Sequence, residues 1–220
     1  MTTYAVTGAN RGIGLEICRQ LSQRGDQVIA LCRESSPELH ALDLEVLAGI
    51  DVSAAGAVAQ AAQQLQGRSI DVLINVAGIL ISDHLDSIDE DVMRQTFEVN
   101  TLGPLRVTKA LLPYLHSGSK VFILSSRVGS IADNSSGGNY AYRVSKTAVN
   151  MVGANLAIDL KPEGIAVILL HPGYVRTDMT RGHGLVDADE SAARLIERMD
   201  GLGLEQTGTF WHMDGSQLPW

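Results

Sequence analysis

The stretch "TYAVTGANRGIG", residues 3–14, runs a short apolar segment straight into three glycines, Gly8, Gly12 and Gly14. Glycine allows a sharp turn and a close approach to the backbone, and a helix is expected directly afterwards, over residues 12–24. Its N-terminus would offer free N–H groups and a positive dipole end to an anion. The spacing G-x-x-x-G-x-G departs from the commoner G-x-G-x-x-G. Its place at the first strand–helix junction still points to the pyrophosphate of a dinucleotide, with Asn10, Arg11 and Ile13 beside it.

Outward from that junction, short apolar runs alternate with longer amphipathic ones. Strands are predicted over 3–8, 27–32, 46–51, 71–76, 120–126, 166–173 and 208–213. Helices are predicted over 12–24, 54–66, 89–117, 141–161 and 188–200. Several strands are continuously apolar, as when both faces of a sheet are covered. The repeated strand–helix order predicts an α/β, doubly wound Rossmann fold: a mostly parallel seven-stranded sheet flanked by helices, one domain over residues 1–220. The softest stretches, 129–138 and 177–189, follow strand ends on the ligand-binding side and read as active-site loops.

The bulk numbers narrow the function. A hydrophobic content of 45% with 19% charged residues fits a soluble globular protein. A net charge of −8 argues against nucleic acid or an anionic membrane as a main partner. No signal-peptide pattern opens the chain, and no apolar run approaches the ~20 residues of a membrane span. Cys18 and Cys32 sit in apolar surroundings and read as buried free thiols in a reducing cytoplasm. No histidine or carboxylate cluster has ligand spacing, so no metal is expected.

Cofactor choice should be settled near the end of the second strand, where a carboxylate selects a ribose hydroxyl and an arginine a 2′-phosphate. Arg33 lies there, and Arg11 in the glycine loop can approach the same spot. Two guanidiniums favour NADP(H), with NAD(H) as a second cofactor; Glu34, one residue on, weakens the preference.

The reactive end is marked by "NYAYRVSK", residues 139–146. Residues four apart share a helix face, so Tyr142 stands with Lys146, whereas Tyr140 falls elsewhere or precedes the helix. A phenol titrates near ~10, and an ammonium beside it stabilises the phenolate; a drop of ~3 units needs about 4 kcal/mol. Tyr142 could then exchange a proton with a carbonyl or alcohol oxygen. Ser126, at the end of the fifth strand, can hold that oxygen, while Ser125 points to the opposite face.

These residues carry a resemblance. The chain resembles the short-chain dehydrogenases/reductases over essentially its whole length. The separated motifs are "TGANRGIG", Asp51 with Val52, "NVAG" (75–78), Asn100, Ser126, "YRVSK" (142–146) and "HPGYVRTDM" (171–179). The resemblance implies that Asp51 meets the adenine amino group and Val52 lines its pocket. Asn75, Ala77 and Gly78 would support the sheet and the adenine-ribose side. Asn100 would break its helix and hold a water linking Lys146 to solvent, completing a tetrad with Ser126, Tyr142 and Lys146. Lys146 would also bind the nicotinamide ribose, and Pro172, Gly173, Val175 and Thr177 would border the nicotinamide.

Val76 stands where the family often has asparagine, and the loop 127–139 should be enlarged. The loop and the ending "FWHMDGSQLPW" look most like the C-factor and sniffer-type carbonyl reductase subgroup. Ile79, Leu80, Val128, Tyr174 and Met179 are candidate substrate-wall residues, mainly apolar, in a cleft with a short lid. The reading is therefore an NADP(H)-dependent oxidoreductase acting on a carbonyl or alcohol, as a homodimer or homotetramer. The alternative is a C-factor-like signalling protein that binds NAD(P) with little turnover.

Overall fold

The computed structural model describes residues 1–220. Seven strands form one sheet: β1 (Thr3–Thr7), β2 (Gln27–Leu31), β3 (Glu45–Leu47), β4 (Val72–Asn75), β5 (Lys120–Leu124), β6 (Ala166–His171) and β7 (Phe210–His212). Their order is β3-β2-β1-β4-β5-β6-β7, and every neighbouring pair is parallel. The order reverses between β1 and β4, which leaves a crevice beyond their carboxyl ends. There the Thr7 hydroxyl accepts from the N–H groups of Val76 (3.0 Å) and Ala77 (3.2 Å), holding the two strand ends together.

The principal helices are α1 (Gly12–Gln23), α2 (Pro37–His40), α3 (Ala55–Gln64), α4 (Glu90–Phe97), α5 (Gly103–Leu111), α6 (Tyr140–Leu160) and α7 (Ala188–Gly201). Alternate residues of each central strand enter two separate cores, one on either face of the sheet. Val6, Ile74, Phe122 and Ile168 pack with Leu21 of α1 and Leu195 of α7. Ala5, Leu73, Ile123 and Leu169 pack with Val58 of α3, Leu111 of α5 and Val149 of α6.

The expected helix over 89–117 is divided. A π-helical turn, Glu98–Leu102, separates α4 from α5, and Pro104 restarts the helix just beyond it. The short α2 escaped the sequence reading, although Ser36 followed by Pro37 is a start signal: the Ser36 hydroxyl accepts from Leu39 N–H at 3.1 Å. β3 and β7 are each three residues, shorter than expected, because they lie at the sheet edges.

The long helix α6 lies unusually close to the sheet. A Cβ built on Gly153 would meet Leu169 Cδ1 at 2.6 Å, and one on Gly129 would meet the Lys146 carbonyl carbon at 2.7 Å. No larger side chain fits between helix and strand at Gly153. Gly153→Ala should therefore cost about 1–3 kcal/mol by overpacking. Urea unfolding reads this directly, and an unchanged midpoint would show that the core relaxes freely.

Candidate active site

The crevice at the β1–β4 switch is a cleft of about 570 Å³. One end is built by the glycine loop, with Gly8, Asn10, Arg11, Gly12, Ile13 and Gly14 in its lining. Gly14 has to be glycine: an added Cβ would lie 2.3 Å from the Gly8 carbonyl oxygen. Arg11 precedes α1 without a side-chain capping bond, and no acidic residue occupies the first turn. The first N–H groups of α1 are thus left for an anion, the donor set that a dinucleotide pyrophosphate needs.

Arg33, Asp51 and Val52 line the same end. The Asp51 carboxylate accepts from Ser53 N–H (2.9 Å) and Ser53 Oγ–H (2.7 Å). Those bonds, with nearby Arg33, hold its carboxyl below the ordinary range against the opposing effect of burial. Arg11 also pairs with Asp178 at 3.3 Å, so the glycine loop touches the segment after β6.

At the other end, Tyr142 and Lys146 line the cleft with Ala77, Gly78, Pro172 and Thr177. Lys146 is 5% exposed, and its Nζ donates to the Leu124 carbonyl at 2.8 Å. That nitrogen lies 5.8 Å from the centroid of the Tyr142 ring. The Ser126 side chain sits beside the Tyr142 phenol, and its Oγ accepts from Val128 N–H at 3.4 Å. The neighbouring Ser125 donates instead to Asn150 Oδ1 of α6 at 2.5 Å, on the face that strand alternation assigns it.

The electrostatics differ from the sequence expectation. Burial pushes the Tyr142 phenol up to about 12, and the bond with Ser126 only partly opposes this. Burial brings the Lys146 ammonium down to about 8. The lysine is not among the influences on the phenol, and loss of solvation moves each group toward its neutral form. The lysine is also aimed at a main-chain carbonyl rather than at the phenol oxygen.

Asn100 is fully buried within the π turn. Its Oδ1 accepts from Ile79 N–H at 2.8 Å, and its Nδ2 donates to the Ile79 carbonyl (2.8 Å) and to Ser145 Oγ (3.0 Å). Ser145 Oγ in turn donates to the Tyr142 carbonyl at 2.7 Å. Ser145 was missed in the sequence, though it lies three residues after Tyr142 on the same helix.

Not every expected residue reaches the cleft. Among the substrate-wall candidates, Ile79 and Met179 line it, whereas Leu80, Val128 and Tyr174 do not. Tyr174 is 51% exposed, its main chain engaged by the N–H groups of Leu185 and Val186. Asn100, Ser126, Gly173 and Val175 are not part of the lining, whereas Ser125 is; Asn100, Ser126 and Val175 are buried. Asn75 is also behind it, 2% exposed, donating to Thr108 Oγ1 at 3.3 Å and leaving its Oδ1 without a partner. The lining includes Cys32, Glu34, Ile50, Val76, Val99 and Leu124, none of which had been assigned to the site. Tyr140, the first residue of α6, is outside it.

Known proteins are similar to this chain in sequence and fold. A 1-hydroxy-2-glutathionyl-2-methyl-3-butene dehydrogenase of Rhodococcus sp. (strain AD45) is 44% identical over the whole of both chains. The C-signal of Myxococcus xanthus is 44% identical over 69% of this chain and 93% of its own. Among solved structures, the carbonyl reductase Sniffer of D. melanogaster superposes with a TM-score of 0.92 at 29% identity, over the whole of both chains. An NADPH-bound carbonyl reductase from chicken fatty liver gives 0.90 at 29% identity, covering all of this chain and 99% of its own. These likenesses include both halves of the subgroup resemblance drawn from the loop and the chain ending. The family model for short chain dehydrogenases matches residues 2–185, and the chain belongs to that family.

Proposed function

We propose that residues 1–220 act as one NADP(H)-dependent oxidoreductase domain that moves a hydride between nicotinamide and a carbonyl or alcohol carbon. The observation that carries this reading is the meeting of Tyr142 and Lys146, with Ser126 beside the phenol, in the same cleft as the uncapped start of α1. Tyr142 is the general acid for reduction and the base for oxidation; Ser126 donates to the substrate oxygen. When bound, the nicotinamide would supply or accept the hydride, and its positive oxidised ring would oppose the desolvation that favours the neutral phenol of Tyr142. Lys146 faces the cofactor ribose. Asn100 holds Ile79 and keeps an Oδ1 lone pair for a water leading to solvent.

Arg11 and Arg33 are proposed to hold a 2′-phosphate, a reading supported by the NADPH-bound avian relative. Asp51 and Val52 serve the adenine, and Pro172, Gly173, Val175 and Thr177 the nicotinamide side. Ile79 and Met179 form the inner substrate wall, with Leu80, Val128 and Tyr174 as rim residues reached by a larger substrate. No helix is long and apolar enough to cross a membrane. The buried free thiols Cys18 and Cys32 fit a cytoplasmic site of action.

A homodimer or homotetramer is proposed through α4 and α6. Val144, Met151 and Ile158, seven residues apart on α6, are 47%, 63% and 72% exposed, and Phe97 of α4 is 37% exposed. A second reading, a C-signal-like regulator, is favoured by one relative; a pure binding role leaves the Tyr142–Lys146 pair unexplained.

NADPH oxidation over a panel of aldehydes and ketones tests the catalytic reading, with a glutathione-conjugated alcohol assayed in the reverse direction. Tyr142→Phe should lose at least about 10²-fold in kcat, and Tyr140→Phe should stay within about twofold of wild type. Turnover surviving in Tyr142→Phe defeats the mechanism, and cofactor binding without any turnover in wild type favours the regulator.

Arg33→Ala should raise the Kd for NADPH about tenfold to a hundredfold and leave that for NADH nearly unchanged. Fluorescence titration reads both constants, and an equal loss for the two cofactors contradicts the 2′-phosphate assignment. Sedimentation should find wild type above 23.5 kDa and Met151→Glu shifted to the monomer; a monomeric wild type removes the assembly proposal.

A further inference from the structure

The segment between β4 and α4 is fastened at two points to the parts that make the site. At its start, Ile79 is held by Asn100 through both main-chain groups, at 2.8 Å each. Further on is Asp83, a carboxylate only 5% exposed. Its main-chain carbonyl accepts from Asn139 N–H at 3.0 Å. Its side chain accepts from the N–H of Tyr140 and, at 2.9 Å, from that of Ala141. These are the first two residues of α6.

α6 has no local cap. Asn139, the residue before it, is left-handed at φ 48°, makes no side-chain capping bond, and is followed by no acidic residue in the first turn. Gly137 (φ 60°) and Gly138 (φ 66°) are left-handed as well, so three consecutive residues turn the chain into the helix. Such a helix start would leave its first N–H groups orphaned. Asp83 satisfies two of them across sequence separations of 57 and 58 residues. A carboxylate at this position also complements the positive end of the helix dipole.

We infer that Asp83 is a positioning residue for the reaction: it caps α6 from outside and thereby sets where the Tyr142 hydroxyl meets Ser126. The inference rests on the acid/base reading of Tyr142. Tyr142 is the third residue of α6, within the turn whose amides Asp83 holds. Loss of these bonds frays that turn and shifts the phenol, while Lys146, a turn further in, stays anchored to Leu124. The same carboxylate closes the strap 79–83, so the substrate wall at Ile79 and the helix bearing Tyr142 are held as one unit.

Single-amide hydrogen exchange, Tyr142 carbon-13 resonances and steady-state kinetics on the full chain test this together. In wild type, the Tyr140 and Ala141 amides should exchange at least about tenfold more slowly than those of Ala188 and Asp189. Those two begin α7, where Asp187 makes no side-chain capping bond. In Asp83→Ala that protection should vanish and the labelled Tyr142 ring-carbon resonance should move. kcat should fall about tenfold to a hundredfold, while the Kd for NADPH changes by less than about twofold. Asp83→Asn, which keeps one acceptor oxygen, should recover part of the loss in kcat.

Unprotected amides in wild type would overturn the inference. So would an Asp83→Ala protein, assayed below its melting point, with kcat and the Tyr142 resonance unchanged. If Asp83→Ala fails to fold, Asp83→Asn and the wild-type exchange carry the test. A wild type that turns over no carbonyl defeats the functional reading alone; exchange and the Tyr142 resonance then still decide whether Asp83 places that side chain.

Discussion

The site depends on how closely the helix α6 lies against the sheet. Lys146 reaches a strand carbonyl because Gly153 lets the helix approach Leu169 and Gly129 lets the following loop pass over the Lys146 backbone. A helix held one methyl group further away would carry Tyr142 and Lys146 out of line with Ser126, which belongs to the strand side. Packing in a dense interior is thus what creates the catalytic distance, and the polar bonds then hold it. Ser125 reinforces the same contact from the sheet through Asn150, which is why two adjacent serines have different tasks.

Much of this was legible in the sequence, for identifiable reasons. Continuous apolar runs such as "KVFIL" admit few readings besides buried parallel strands, and the sheet order follows once each is joined by a helix. The i, i+4 spacing of Tyr142 and Lys146 fixed their common face, and strand alternation separated Ser125 from Ser126. What stayed hidden depends on distant partners. Asp83 gives no local signal that it will cap a helix more than fifty residues on. Asn75 and Asn100 took roles only through the family resemblance. Leu80, Val128 and Tyr174 were placed by adjacency to motif residues, and adjacency along a loop does not determine which side chains face a cleft.

The expectation that failed most clearly is electrostatic. Sequence proximity places an ammonium beside a phenol and invites the conclusion that the phenol becomes acidic. The folded chain buries Lys146 and half-buries Tyr142, and desolvation raises one group and lowers the other, bringing each toward its neutral form. A pair in this state holds its proton on Tyr142. In the proposed reaction it would suit a general acid in carbonyl reduction more readily than a base in alcohol oxidation, unless a further positive charge entered the pocket.

The opposite end of the cleft applies the same logic with exposed charge. Arg11 is 58% and Asp178 78% exposed at their side chains, so their ion pair is screened and weak. A 2′-phosphate carries more charge than a carboxylate; held as proposed by Arg11 and Arg33, it would displace Asp178 from Arg11 at little cost. A ribose with a free hydroxyl has no such leverage and leaves the Arg11–Asp178 contact in place. Discrimination between the two cofactors therefore need not come from an exclusive pocket. It can arise from competition for one guanidinium between a solvated carboxylate and a doubly charged ligand group.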